Sequence, residues 1–351
     1  MIQKHELHMS RCIQLAKLGA GHVAPNPMVG AVLVYEDKII GEGYHMQYGK
    51  PHAEVNCIAS VKENDRHLID QSVLYVSLEP CAHFGKTPPC ADFIIANKIR
   101  TVVIGCRDPF EQVDGKGIEK LQNAGSTVIT GVLENECKEL NKRFFTFHTK
   151  KRPYIILKWA QSKNHKIANA DFSRVLISNA YSSRLVHKWR SEEAGIMVGT
   201  NTAIQDNPAL NTRNWTGPNP VRLVVDMNLR LPSTLQIIDG QQKTIIFNGV
   251  KHEEQQNVCF YKINKEPFFV EALLKACYDL NIQSILIEGG NKLAESFINE
   301  HVWDEARVIE NSQLIIDNGL NAPLLSNHTF LFSETIATDV VSYYLNHNYK
   351  F

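Results

Sequence analysis

The stretch "PHAEV" sets His52 and Glu54 one residue apart, and "EPCAHFGKTPPC" sets Cys81 and Cys90 on a single Pro-rich loop. His and Cys are zinc ligand types. One His with two Cys supplies three protein ligands and leaves the fourth position open to water, as in catalytic rather than closed structural zinc sites. Zinc held there lowers the pKa of that water towards neutrality. Glu54 does not share the direction of His52 on a helix, but it can lean over an adjacent water as a general acid and base. Pro51 suits the first turn of a helix. His52 and Glu54 then stand at a helix start, where free N–H groups and the dipole favour an anion. Cys81 follows a strand and Cys90 opens a helix. Both thiols are expected near helix starts, which favours the thiolate.

Each residue alone has a plainer explanation. A lone His at a helix start is usually a polar cap, two Cys on one loop are usually unrelated, and His83 between them offers a different metal set. Together, H-x-E followed by P-C and a second Cys is the zinc deaminase pattern. The chain has eight Cys in 351 residues, too sparse for a disulfide scaffold. Cys12, Cys57, Cys106, Cys137, Cys259 and Cys277 sit in apolar or helical contexts and read as small buried hydrophobes.

The second half holds another candidate site. In "MVGTNTAIQDNPALNTR" a strand is expected to end at Gly199 and "TNTAIQDNP" to form a polar loop. Gly199 permits close backbone approach. Thr200 and Thr202 offer hydroxyls, Asp206 and Asn207 suit capping or binding, and the planar fork of Arg213 suits a phosphate. The plainer alternative is a solvated loop after a buried strand. "LIEGGNKLAES" reads as strand, Gly-Gly, helix, which bares N–H groups for a phosphate. It is not G-x-G-x-x-G, so an ordinary Rossmann site is unsupported.

The elements that must position these residues alternate. The first half reads as a helix near 4–19, strands at "AVLVY" and "IIGEGYH", and a helix from His52 through "AEVNCIASVK". The strand "SVLYVSL", the Cys loop, the helix "CADFIIANK" and the strand "RTVVIGCRD" follow. The helix "GIEKLQNAG", the strand "TVITGV" and one closing helix, "ENECKELNKRFFTFHT", complete it. Lys150–Pro153 is the expected boundary, giving domains 1–149 and 150–351. The second half starts again with the strand "YIILKWA" and the helix "NAYSSRLVHKWRSE". The strands "AGIMVGT", "VRLVVD" and "KTIIFN", the helix "PFFVEALLKACYDL", the strand "SILIEGG" and the helix "NKLAESFINE" follow. "WDEARVIENSQLII" adds late strand material. Strands alternating with helices imply α/β sheets covered on both faces.

Bulk composition narrows the class. Lys plus Arg and Asp plus Glu each number 37, so the formal net charge is zero, with none of the basic excess of a nucleic-acid binder. Apolar runs such as "MVGAVLV" and "SILIE" are strand-sized, well short of a membrane span. The N-terminal stretch reads as an amphipathic helix rather than a targeting signal. A cytoplasmic protein with a small-molecule substrate, no nucleic acid and no membrane partner is expected. Apolar late strands are compatible with a homo-oligomer.

The long loop "EPCAHFGKTPPC", with "PNPMVGAVLV" before it and "DPFEQVDGKGIEKLQNAG" after it, resembles the bacterial RibD family, the bifunctional deaminase–reductases of riboflavin biosynthesis. The resemblance continues through the second half. It implies a cytidine-deaminase-like α/β/α domain followed by a dihydrofolate-reductase-like α/β domain, with Zn2+ and NADPH as cofactors. It implies zinc ligation by His52, Cys81 and Cys90, proton transfer by Glu54, and contact of Asn26 with the pyrimidine or its sugar. Asn26 also reads simply as a turn residue between two prolines. Carried over, Ala160, Thr202, Asp206 and the run Gly290, Asn291, Lys292, Leu293, Ala294, Glu295 and Ser296 face NADPH. Arg190, Leu210, Arg213 and Glu288 face the substrate, with Arg190 and Arg213 suiting its 5′-phosphate. By itself Arg190 reads as an ordinary exposed helix arginine.

The chain departs from the family pattern in two places. "SKNHKIA" puts Asn164–His165 where Asp–Gly is usual, and "VLISN" puts Leu176 where a Trp is usual. Both bear on the grip on the cofactor. The rival readings are a nucleoside or tRNA deaminase with an accessory domain, and a zinc-stabilised ligand-binding protein.

Overall fold

The structure, a computed structural model, describes residues 2–84, 88–171, 173, 175–264 and 269–348. It divides between Lys150 and Lys151 into two compact units. Among the described residues no helix is long and apolar enough to cross a membrane.

The first unit runs α1 (Ile2–Ala16), β1 (Gly30–Tyr35), β2 (Lys38–Tyr44), α2 (Ala53–Ala59), β3 (Val73–Leu78), α3 (Cys90–Ala96), β4 (Thr101–Cys106), α4 (Lys116–Asn123), β5 (Thr127–Thr130), α5 (Glu134–Leu140) and α6 (Lys142–Lys150). Its sheet has the order β2-β1-β3-β4-β5. β1 is antiparallel to β2 and β3, and β3, β4 and β5 are parallel. Alternate side chains split between two cores, as the two-residue strand period requires. Leu33, Leu74, Val76, Val102 and Ile104 face a core shared with α2, α3 and α4. Val32, Val34, Tyr75 and Val103 face one shared with α1, α5 and α6. This is an α/β/α layering.

The closing helix expected over 134–149 is two helices. They break at Asn141, whose side chain accepts from Met28 N–H and donates to Met28 C=O, each at 2.8 Å. The amide satisfies two backbone groups 113 residues away, a constraint that helical periodicity does not reveal.

The second unit runs β6 (Tyr154–Ser162), β7 (Lys166–Asn169), α7 (Ala180–Glu192), β8 (Gly195–Gly199), α8 (Thr200–Asp206), β9 (Val221–Val225), β10 (Thr244–Asn248), β11 (Glu253–Gln255), β12 (Val258–Lys262), α9 (Phe269–Asp279), β13 (Ser284–Gly289), α10 (Asn291–Asn299), β14 (Glu305–Asn311), β15 (Gly319–Asn321), β16 (His328–Ile336) and β17 (Asp339–Asn346). Ten strands form one sheet in the order β11-β12-β10-β9-β8-β13-β6-β14-β17-β16, and β15 pairs with β7. From β12 to β14 every neighbouring pair is parallel. β11, β17 and β16 add antiparallel edges. Parallel strands need both faces covered. Leu157, Met197, Leu223, Phe247 and Ile287 pack with α9 and α10 on one face. On the other, Ile196, Val198 and Val224 pack under Leu210 and Leu235, while Tyr154, Ile156 and Leu286 pack against α7.

One expectation changes here. The polar stretch after Gly199 is a helix, α8, not a loop. Thr200 Oγ1 donates to Val225 C=O at 2.8 Å and so ties the helix start to β9, while Asn207 at φ 39° closes its other end. The helix "PFFVEALLKACYDL" begins at Phe269 among the described residues, and its expected first residues Pro267 and Phe268 lie outside them. The hairpins β11–β12 and β16–β17 were not legible as such. β16 lies at a sheet edge with Phe330, Leu331 and Phe332 exposed.

Asn141→Ala leaves the Met28 backbone groups without these bonds. It is expected to cost the first unit about 1–3 kcal/mol, seen as a lower urea midpoint at unchanged slope. An unmoved midpoint would show that the pairing is dispensable.

Candidate active sites

In the first unit, His52 is the N-cap of α2, Glu54 lies in its first turn, Cys81 lies past β3 and Cys90 is the first residue of α3. Cys81 is therefore on the loop and not at a helix start. Its sulfur nevertheless accepts the Cys90 N–H at 3.3 Å, so it borrows the first free donor of α3. α2 is drawn close to β2 through Gly43, where a Cβ would lie 2.2 Å from Cys57 N.

His52 Nδ1 lies 3.7 Å from Cys81 Sγ and 3.3 Å from Cys90 Sγ. Zn–S and Zn–N bonds at tetrahedral angles place such donors about 3.5 Å apart. The three atoms thus fit a zinc ion, and their chemistry matches it. Cys81 is pulled down to about 4 by the Cys90 thiol and then by His52 and the Cys90 N–H. Cys90, which donates to Cys81 and is buried, is pushed up. Hydrogen bonding to Cys81 raises His52. A metal bound here would take the place of the proton these groups share.

Glu54 is 3% exposed, and burial raises its pKa above the usual carboxylate range, with Cys81 adding to the effect. A carboxyl in that state can give as well as take a proton near neutrality. Asn26 Nδ2 lies 3.2 Å from His45 Nε2, and His45 Nδ1 lies 3.1 Å from Pro51 C=O. The Pro51 carbonyl can only accept, so His45 carries its proton on Nδ1 and its Nε2 accepts from Asn26. The His45 ring meets the His52 ring edge-on at 5.1 Å. Asn26 is thereby linked through His45 to His52, beyond its place in the turn between two prolines.

Sequence reasoning overlooked His45, although it directly ends the β2 run that precedes "PHAEV". It also overlooked Glu79 and Asp108. Glu79 accepts four backbone N–H groups, from Asp108, Gly115, Gly117 and Ile118, and so pins the loop after β4 beside the Cys loop. Asp108 accepts from Phe110 N–H at 2.8 Å and is pushed up to about 7, chiefly by burial.

In the second unit, a cleft of about 2000 Å³ opens at the C-terminal ends of β8, β9 and β13 and along β6. Small-molecule pockets run to roughly 300–1,000 Å³, so this one has room for a dinucleotide and a second ligand together. Its place outside the carboxyl ends of parallel strands is where open α/β sheets bind ligands. The cleft brings together Ala160 on β6, Thr202 and Asp206 on α8, and Gly290 through Ser296 at the start of α10. It also brings in Arg190 on α7, Leu210, Arg213 and Glu288. Gly289 must lack a side chain, since a Cβ there would lie 2.6 Å from Thr202 Cγ2. Gly290 holds φ 86°, and no side chain caps α10, which leaves its first N–H groups for a ligand.

Arg190 is not an exposed surface arginine. It grips Glu288 through two bonds, Nε to Oε1 at 2.7 Å and Nη2 to Oε2 at 2.8 Å, and donates to Asn211 C=O at 3.1 Å. Lys158, unremarked in the sequence, lines the cleft 3.7 Å from Glu288. Burial would raise Glu288, but Arg190 and Lys158 outweigh it and hold the carboxylate at about 2. Burial in turn lowers Lys158. His187, beside this cluster, is driven down to about 4 by burial and then by Arg190 and Arg213. Arg213, by contrast, bonds the Asn211 side chain at 3.0 Å, with no other hydrogen bond among the described residues, and is exposed.

The two departures from the family pattern are also placed. His165 takes the left-handed position at φ 58°, with its ring 2.8 Å from Gln161 Nε2. Asn164 accepts from Ser162 and donates to Ile316 C=O. The turn therefore forms without Gly, at a backbone cost of about 1–2 kcal/mol. Leu176 is 78% exposed on the cleft wall.

Glu288→Gln removes the counter-charge of Arg190 and Lys158. The second unit is expected to lose about 3–5 kcal/mol at pH 7. Because folding lowers the pKa of Glu288, its contribution is full above the unfolded carboxylate pKa near 4.5 and disappears as pH falls towards 2. The stability gap between variant and parent should close over that window. A gap independent of pH would exclude the ion cluster as its source.

Residues 2–106 match the cytidine and deoxycytidylate deaminase zinc-binding region, and residues 153–315 match the RibD C-terminal domain. The riboflavin biosynthesis protein RibD of Aquifex aeolicus is 39% identical over 319 residues, which is 90% of this chain and 88% of that protein. The RibD protein of Escherichia coli is 31% identical over 86% of this chain and 85% of its own length. A crystal structure of a diaminohydroxyphosphoribosylaminopyrimidine deaminase/5-amino-6-(5-phosphoribosylamino)uracil reductase from Thermotoga maritima superimposes with a TM-score of 0.88. It has 35% identity and covers 98% of this chain and 99% of that one.

Proposed function

The chain belongs to the RibD family of bifunctional deaminase/reductases of riboflavin biosynthesis, and on that premise we propose how its own residues divide the two reactions. The first unit hydrolyses the amino group of 2,5-diamino-6-ribosylamino-4(3H)-pyrimidinone 5′-phosphate. The second reduces the ribosyl chain of the product to ribityl with NADPH. The observation that carries this reading is that one chain holds both a three-ligand zinc set beside a buried glutamate and a cleft large enough for cofactor and substrate.

His52, Cys81 and Cys90 would hold the zinc, which when bound would supply Lewis acidity to a water. Glu54 would carry a proton from the water side to the departing amine, so that it leaves as neutral ammonia. Asn26, aligned by His45, donates to an acceptor of the pyrimidine or its sugar.

In the second unit NADPH, held by the cleft residues, would supply a hydride for C1′ of the ribosyl group, and opening of the C1′–O4′ bond would then need a proton at O4′. Lys158, its pKa lowered by burial, is the candidate donor, and Glu288 orients it. Because Arg190 is spent on Glu288 and Asn211, Arg213 carries the contact with the 5′-phosphate. Thr202, Asp206, Ala160 and the start of α10 cradle the cofactor. Arg230, exposed on the loop after β9 and bonded to Asn201 at 3.2 Å, is the cleft cation that meets the 2′-phosphate.

The direct test follows ammonia release and NADPH absorbance with the diamino substrate. Glu54→Gln should lose ammonia release by about 10²–10⁴-fold while keeping its zinc and its reduction of the deaminated pyrimidine. Lys158→Met should do the reverse. Ammonia release without NADPH oxidation in the parent protein would sink the reductase half. Arg230→Ala should raise the KM for NADPH by about 10-fold or more, as expected for loss of a charge-assisted phosphate contact, and leave that for NADH unchanged. An equal change for both cofactors would place the 2′-phosphate elsewhere.

A further inference from the structure

Cys259 was expected to be a small buried hydrophobe, and it is not. It is partly exposed on β12, directly across the ladder from Glu254 on β11. His252 lies two residues before Glu254 and so on the same face of the hairpin. We propose that His252, Glu254 and Cys259 form a second transition-metal site, suited to zinc, on the outer edge of the ten-stranded sheet.

The donor atoms of the three side chains all lie within 4.8 Å of one another. Zinc at tetrahedral angles needs about 3.3–3.6 Å between such donors. His252 and Glu254 are exposed, so small rotations of their side chains close the difference. Among the described residues no hydrogen bond or ion pair engages any of the three side chains. The opposite face of the same hairpin contrasts with this. There Glu253 pairs with Lys251 and Gln255, and Lys251 sits 4.2 Å over the Phe260 ring. One face thus satisfies its charges internally, while the other gathers an imidazole, a carboxylate and a thiol with no hydrogen-bond or ion-pair partner among the described residues. The Tyr261 ring packs edge-on to His252 at 5.2 Å and backs the imidazole. A mixed N, O and S set selects zinc-like ions over magnesium or calcium. Three protein ligands at an exposed edge leave the fourth position to solvent.

None of the three residues lines the reductase cleft, and all lie in the second unit, apart from the His52, Cys81 and Cys90 set. The inference therefore stands independently of the proposed reactions. The test titrates the full chain, its first site already loaded, with Zn2+ against a chromophoric chelator. The wild type should take up two equivalents in total. Cys259→Ser and His252→Ala should each keep the first equivalent and weaken the second by on the order of 100-fold, at least the cost of losing a supporting residue. Both should release ammonia at the parental rate, whereas Cys81→Ser should lose the first equivalent. Zinc should also shield Cys259 from iodoacetamide in the wild type and fail to do so in His252→Ala. A single equivalent in the wild type, or a second that persists unchanged in Cys259→Ser, overturns the site.

Discussion

Parallel strands buried on both faces can carry almost nothing but apolar side chains along their length, so polar chemistry collects where they end. Both units obey this constraint. In the first, Glu79 and Cys81 follow β3 and Asp108 follows β4, immediately past strands whose side chains are nearly all buried. In the second, Gly199 closes β8, Asp226 follows β9, and Glu288 and Gly289 close β13. The two sites share no residue type pattern, but the same packing rule places them.

Three glutamates with buried carboxyl groups near the two sites are handled differently. Glu79 is wrapped by four backbone N–H groups and serves as a clasp for the loop. Glu288 is ionised between Arg190 and Lys158 and serves as an anchor for these two of the cleft's cations. Glu54 has no cation of that kind, and burial leaves its proton only loosely committed. A buried carboxylate must be satisfied or protonated. Burial raises the pKa of Glu54, which is what the proposed proton transfer requires. In the proposed reaction the same logic assigns the phosphate contact to Arg213 rather than Arg190, since a guanidinium already bound bidentately to a carboxylate has little left to offer.

Much of the architecture was legible because alternation and periodicity are local. The strands Val73–Leu78 and Thr101–Cys106 and the helix Ala180–Glu192 could be read from apolar period and capping residues. The stretch Thr200–Asp206 was read as a loop because its residues are polar and weak helix formers. It is helical because Thr200 is tied to β9 and Asn207 accepts the left-handed turn. The break at Asn141 and the hairpins at the sheet edges depend on pairings between distant segments, and no local signal marks them.

The sequence by itself determined which residues are competent for chemistry. The spacing of His52 and Glu54, with Cys81 and Cys90 on one loop, carries a zinc reading because ligand type and number are intrinsic to the side chains. Only the tertiary structure decided how those residues are charged and what they touch. It made Arg190 the counter-ion of Glu288, brought Lys158 into the cleft, linked Asn26 to His52 through His45, and exposed Cys259 beside His252 and Glu254. Burial and neighbouring charge, which fix protonation and availability, arise from segments far apart in the chain, and composition and spacing are silent about both.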